Sequence, residues 1–245
     1  MIIKPNRKDW HKLAQRPIAE QKGLNELVNK IFSEIEKDGD TALIKYTALF
    51  DKVDIKSFSV SKTILANAAK EVSQELKSAI NHAKSNIEKF HHSQREVSKI
   101  VETSKGVKCW RESRAIESVG IYIPGGTAPL FSTVLMLGIP ARLAGCKEIV
   151  LCTPPDKDGK INPVILYAAN LLGITSIFCV GGIQAIAAMT FGTQSIPKVD
   201  KIFGPGNQYV MAAKQTAQNF GVAIDMPAGP SEVLIIADNT CNPSY

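Results

Sequence analysis

The chain has 245 residues, 44% hydrophobic and 21% charged, with a formal net charge of +6. This is enough for one large globular domain or two smaller ones, and the composition excludes a disordered or fibrous chain. No apolar run approaches the roughly 18 residues of a membrane span, so no membrane role is expected. The positive excess sits in residues 1–117, with 22 Lys+Arg against 16 Asp+Glu, and is mixed with acids in stretches such as FSEIEKDGDTALIKY. A solvated helical surface is therefore expected, and no nucleic acid partner.

The first half reads mainly as helix. Leu24, Leu27, Val28, Ile31, Phe32 and Ile35 follow the spacing of an amphipathic helix, which KDGD ends. Asp40 is placed to cap a second helix with Leu43, Tyr46 and Phe50 on one face. KVDIKSFSV alternates and predicts a strand over 52–60. Val72, Leu76, Ala79, Ile80, Ala83, Ile87 and Phe90 predict one long helix reaching about His92. The stretch KIVETSKGVKCWRESRAI predicts two strands around a turn at Lys105-Gly106.

Near Val119 the texture changes. Charges thin out, and 14 of the 17 glycines follow. Apolar strands now alternate with helices: SVGIYIP, EIVLCTP, TSIFCVGG, VDKIFGPG and VAIDM between helices such as NPVILYAANLLG, with Asn162 as cap and Pro163 in the first turn. A later strand is expected at VLIIAD. This pattern predicts an α/β fold with a doubly wound, Rossmann-like parallel sheet. The expected division is a helix-rich part of a first lobe over 1–118, the sheet lobe over 119–232, and a return toward the first lobe over 233–245.

Ligands in such sheets collect beyond the carboxyl ends of the strands. Four loops fall there: YIPGGTAP (122–129), VGGIQAI (180–186), FGPGNQYV (203–210) and DMPAGPSEV (225–233). Three lead into helix N-termini, which favour anions. Every strand-to-helix turn needs glycine and a cap, so one loop alone is turn chemistry; four on one edge point to a ligand with phosphates or a carboxylate. Neither G-x-G-x-x-G nor G-x-x-x-x-G-K-[ST] is present. Within the loops, Tyr122 is either a core tyrosine or a group that stacks on a ring or bonds a ribose. Gln184 is a polar side chain in an apolar helix start, so it caps the helix or bonds a ligand. Asn207 caps a helix and can still turn its amide to a ligand. Ser231, next to Pro230, is a turn serine or a contact for a substrate carboxylate or amine.

Catalytic chemistry is harder to find. The four histidines (His11, His82, His91, His92) all lie in the first half, and adjacent His91 and His92 do not share a helix face. On the loops only Asp225 and Glu232 are candidate general bases. Cys109, Cys146, Cys152 and Cys179 sit among apolar residues, where cysteine is usually a small buried hydrophobe. Five scattered cysteines without a C-x-x-C pair, and a start without an apolar leader, suit the cytoplasm. The residues describe a binding site without an evident base or metal.

In this order, VGIYIPGGTAPLFSTVLM, LAGCKEIVLCTPP, VGGIQAIAAMTFGT, IPKVDKIFGPGN and AIDMPAGPSEVLIIAD resemble the histidinol dehydrogenase family over residues 119–238. The resemblance implies oxidation of L-histidinol to L-histidine in two steps through an aldehyde, with two NAD and a zinc ion. It implies two Rossmann-like lobes related to aldehyde dehydrogenases, and a homodimer interlocked by a tail. It carries NAD contacts onto Tyr122, Gln184 and Asn207, and a substrate-binding serine onto Ser231. The family's zinc ligands, catalytic Glu-His pair and tail lie beyond the position matching Tyr245, so catalysis and metal binding are not expected from these residues alone. Exposed apolar surface is expected on the 1–118 side. Two other readings compete. One is a non-catalytic nucleotide-binding module that assembles with a partner. The other is a thiol-dependent aldehyde dehydrogenase using Cys146 or Cys152.

Overall fold

Residues 5–15, 22–125, 129–227 and 235–242 are described by a computed structural model. A short α1 (Trp10–Leu13) precedes α2 (Lys22–Asp38) and α3 (Asp40–Phe50). On α2, Val28, Ile31, Phe32 and Ile35 are at most 1% exposed. Each contributes on the order of 1.5–3 kcal/mol by leaving water. Asp40 does not cap α3. Gly39 holds that position, with φ +54°, and Asp40 instead reaches across to Ser195, whose N–H and hydroxyl its carboxylate accepts.

The strand expected over 52–60 is replaced by a loop with one bridge. Lys52 has positive φ, and the chain meets the sheet only at Ser59, opposite Phe178. Two hydrogen bonds, Cys179 N–H to Phe58 O and Val60 N–H to Ile177 O, cover part of that sheet edge. Next come α4 (Lys62–Glu71) and α5 (Gln74–His92). The apolar spacing predicts a single helix from Val72 to about His92. Val72 is instead extended and separates two helices, and Ser61 and Ser73 each accept an N–H of the first turn that follows them. The predicted hairpin is present as β1 (Val101–Ser104) and β2 (Val107–Cys109), antiparallel and exposed throughout. Cys109 is consequently exposed rather than buried.

The second half alternates as the sequence predicts: β3 (Ser118–Tyr122), α6 (Phe131–Ala144), β4 (Glu148–Thr153), α7 (Pro163–Leu171), β5 (Ser176–Cys179), α8 (Gly182–Phe191), β6 (Lys201–Phe203), α9 (Gln208–Ala217) and β7 (Ala223–Ile224). The five strands are parallel, in the order β5-β4-β3-β6-β7. The order reverses at β3, which opens a crevice beyond the carboxyl ends of β3 and β6. The strand expected at VLIIAD is not seen at 235–238, which is irregular, with Ile235 and Ile236 78% and 89% exposed. These residues pair with no strand among the described residues.

Both sheet faces are buried. Val119, Ile121, Ile149, Leu151 and Ile177 face α6 and α7, with α4 and α5 as a second tier. Tyr122, Val150, Cys152, Phe178 and Ile202 face α8 and α9, with α2 and α3 outside them. The alternation along each strand is therefore apolar on both sides, as a covered parallel sheet requires.

Candidate functional site

A cavity of about 790 Å³ opens at the crevice between β3 and β6. Tyr122, Gln184 and Asn207, which lie far apart in sequence, all line it. Pro154 from the end of β4 and the turn Pro205-Gly206 add to its wall, and Phe50 and Asp51 close it from the end of α3. Ser231 and Glu232 lie outside the described residues.

Tyr122 ends β3 and is 3% exposed. Its hydroxyl accepts the N–H of Gly182 at 3.0 Å, in the first turn of α8, and keeps its own proton to donate. Burial pushes the phenol up to about 12, so that proton stays in place at neutral pH. Asn207 caps α9: its Oδ1 accepts from Tyr209 N–H and Val210 N–H at 3.1 Å each. Its amide NH₂ is left to act as a donor. Gln184 is 1% exposed, on the first turn of α8. Its Nε2 donates to Asp51 Oδ2 at 3.2 Å, while Oε1 has no hydrogen-bond partner among the described residues. Burial holds the Asp51 carboxyl above the ordinary carboxylate range, although the Gln184 hydrogen bond opposes this.

The turn at Gly204 is clamped rather than loose. Asp225 Oδ2 accepts Gly204 N–H at 2.9 Å, and its Oδ1 pairs with Lys214 Nζ, which also donates to Gly204 O at 2.7 Å. Both oxygens of Asp225 are committed, so it is a clamp and not the free general base the sequence suggested. Gly204 has φ +139°, and a Cβ there would meet Tyr122 O at 2.2 Å, so no side chain fits.

Among the described lining residues Asp51 is the only charged side chain. Two helix N-termini, of α8 and α9, meet at the cavity and supply N–H groups and positive dipole ends without Lys or Arg. The set suits a partly apolar ligand that carries an anionic group and hydroxyl or amide groups. Among the described residues no histidine lines the cavity, and Asp51 is its one carboxylate. Among the described residues no three His, Cys, Asp or Glu side chains gather in a group that could hold a metal ion. No buried thiol lines the cavity among the described residues. Burial raises Cys146, raises Cys152 strongly, and pushes Cys179 to about 12.

Two lining residues, Phe50 and Asp51, are not legible as site residues in the sequence, because LFDKVD reads as an ordinary helix exit. Lys214 carries a signal: it falls on the face of α9 that holds Val210, Met211 and Ala217.

Residues 14–245 match the family described as histidinol dehydrogenase. The chain is 56% identical to histidinol dehydrogenase of Bacteroides fragilis over all 245 residues, covering 57% of that protein. It is 52% identical to that of Escherichia coli O157:H7 over 241 residues, 97% of this chain and 55% of the relative. The crystal structure of histidinol dehydrogenase from Elizabethkingia anophelis superposes with a TM-score of 0.90 at 62% identity, covering 98% of this chain and 55% of that one. The chain thus spans little more than half the length of these relatives.

Proposed function

Because the chain belongs to the histidinol dehydrogenase family, we propose that the cavity beyond β3 and β6 binds NAD, and that the chain is the dinucleotide-binding portion of an L-histidinol-oxidising enzyme. The observation that carries this is the meeting of Tyr122, Gln184 and Asn207 on one cavity at the reversal of strand order. When bound, NAD supplies a two-electron acceptor. The chain's own residues hold it: the α8 and α9 N-termini face its phosphates, Asn207 Nδ2 and the Tyr122 hydroxyl donate to its oxygens, and Gln184 Oε1 accepts. Ser231 contacts the substrate in this proposal. The zinc site, the catalytic Glu-His pair and the homodimer contact belong to the part of the family's length that this chain does not span. Residues 119–232 form the cofactor lobe in this proposal, and the cytoplasm is the working compartment.

The test is a calorimetric titration of the protein with NAD, alongside NADH formation from histidinol with zinc present. Residues 1–245 alone are expected to bind NAD without turnover. Asn207→Ala removes one hydrogen bond and weakens the α9 cap, so affinity should fall about 5- to 10-fold. Unchanged affinity in Asn207→Ala, or no NAD binding by the parent, refutes the site. Turnover by residues 1–245 refutes the division of labour.

A further inference from the structure

Resting on the NAD reading above, we infer that Asp51 is a positioning residue that fixes the Gln184 amide so that Oε1, not Nε2, faces the cavity and accepts a hydrogen bond from an N–H or O–H group of the bound dinucleotide. A carboxylate only accepts hydrogen bonds. By standing 3.2 Å from the amide, Asp51 permits a single orientation, with the NH₂ toward itself. The other end of the amide is then an acceptor with nothing to accept. Gln184 Oε1 is buried and has no partner among the described residues, and Gln184 lines the cavity wall. A buried polar atom left unpaired is costly, and a ligand donor offsets that cost.

Two backbone features hold this arrangement. Asp51 caps the end of α3, its N–H donating to Thr47 O at 2.9 Å, so its carboxylate is held by a separate element packed against α8. Gly182 leaves room beneath the amide: a Cβ there would lie 2.8 Å from Gln184 Oε1, and its φ of +63° strains any other residue. The recognised group must be a neutral donor, such as a ribose hydroxyl, a base amino group or a carboxamide NH₂. A phosphate oxygen cannot serve, since it too only accepts.

The test exchanges the chemistry of the pair at constant shape. In Asp51→Asn the partner can donate, so the Gln184 amide is free to turn its oxygen toward position 51. In the double variant Asp51→Asn with Gln184→Glu, the new amide at position 51 donates to one carboxylate oxygen at position 184, and the other oxygen again faces the cavity as an acceptor. Calorimetry on the intact protein with NAD, ADP-ribose and nicotinamide mononucleotide reads the result. Asp51→Asn is expected to weaken NAD about 5- to 10-fold, and the double variant to return within about threefold of the parent. The fragment that shows the same loss carries the donor, and a loss in either one supports the assignment. Thermal stability separates positioning from scaffolding. Burial raises the Asp51 carboxyl, so the folded chain binds that proton more tightly than the unfolded chain does. Its contribution to stability is present below the ordinary value of 3.8 and is lost as pH rises through the raised value. Asp51→Asn should therefore hold or raise the thermal midpoint at pH 7 while losing affinity. Equal NAD binding by parent and Asp51→Asn, or a double variant no better than Asp51→Asn, overturns the inference. A parent that binds no NAD, or an Asn207→Ala variant that binds it like the parent, overturns the NAD reading instead.

Discussion

At Lys214 a cation sits 1% exposed, reaching Gly204 O and the Asp225 carboxylate. Among the described residues it is the only buried charge, and its sole visible task is to fix a turn whose next residues cap α9 and line the cavity. Such a pair gains little over an apolar pair of the same volume, yet breaking it leaves a charge without a partner. Lys214→Met keeps the stem and removes the ammonium. It is expected to destabilise the fold by about 3 kcal/mol, toward the low end for such breaks because the Asp225 side chain is 29% exposed and can recruit water. Chemical denaturation measures this. A loss below about 1 kcal/mol would mean that the clamp is slack. The residue scale is also where the sequence is least legible. Tyr122, Gln184 and Asn207 stand out as odd residues in glycine-rich loops. Asp51 does not, since its partner is 133 positions away and nothing local distinguishes it.

Elements are legible where local chemistry and burial agree. Asn162 accepts Val164 N–H at 2.9 Å and starts α7 with Pro163 in the first turn, and Asn207 caps α9 with its own side-chain oxygen in the same way. The strands of the sheet are apolar on both faces, so their runs stand out against turns. Legibility ends where a tertiary contact decides. Residues 52–60 alternate like a strand but touch the sheet edge only near Ser59. The helix α4 leaves little trace in the sequence because its apolar face is thin, with only Leu65 and Ala68 buried. At the site, the decisive element is the β6–α9 turn. Gly204→Ala places a methyl carbon against Tyr122 O and forces an unfavourable φ. The expected loss is on the order of 3 kcal/mol, together with weaker NAD binding, because the backbone of β3 or the turn must move. Denaturation and calorimetry on the one variant read both. An unchanged fold would show that the turn has slack its geometry does not suggest.

Across the whole molecule, composition suggests a boundary near Val119, yet the packing crosses it. α2 and α3 share one apolar cluster with α8 and α9, and α4 and α5 share the other with α6 and α7. Removing the outer tier would strip Val28, Ile31, Phe32 and Ile35 from their partners and leave the crossover helices wet. Residues 22–92 and 118–224 are therefore expected to unfold in one cooperative transition, with coincident midpoints by far-ultraviolet circular dichroism and by hydrogen exchange of the β3 and β4 amides. The hairpin β1–β2 belongs to neither cluster. Val97, Ile100, Val101, Val107 and Trp110 around it are more than half exposed, so apolar surface does appear on this side of the chain. Its amides should exchange by local opening, orders of magnitude faster than those of β4, without any loss of the sheet. Two separated transitions, one for each half, would mean that the shared clusters are too loosely packed to couple them. Protection of the hairpin equal to that of β4 would mean that its apolar residues are covered in solution.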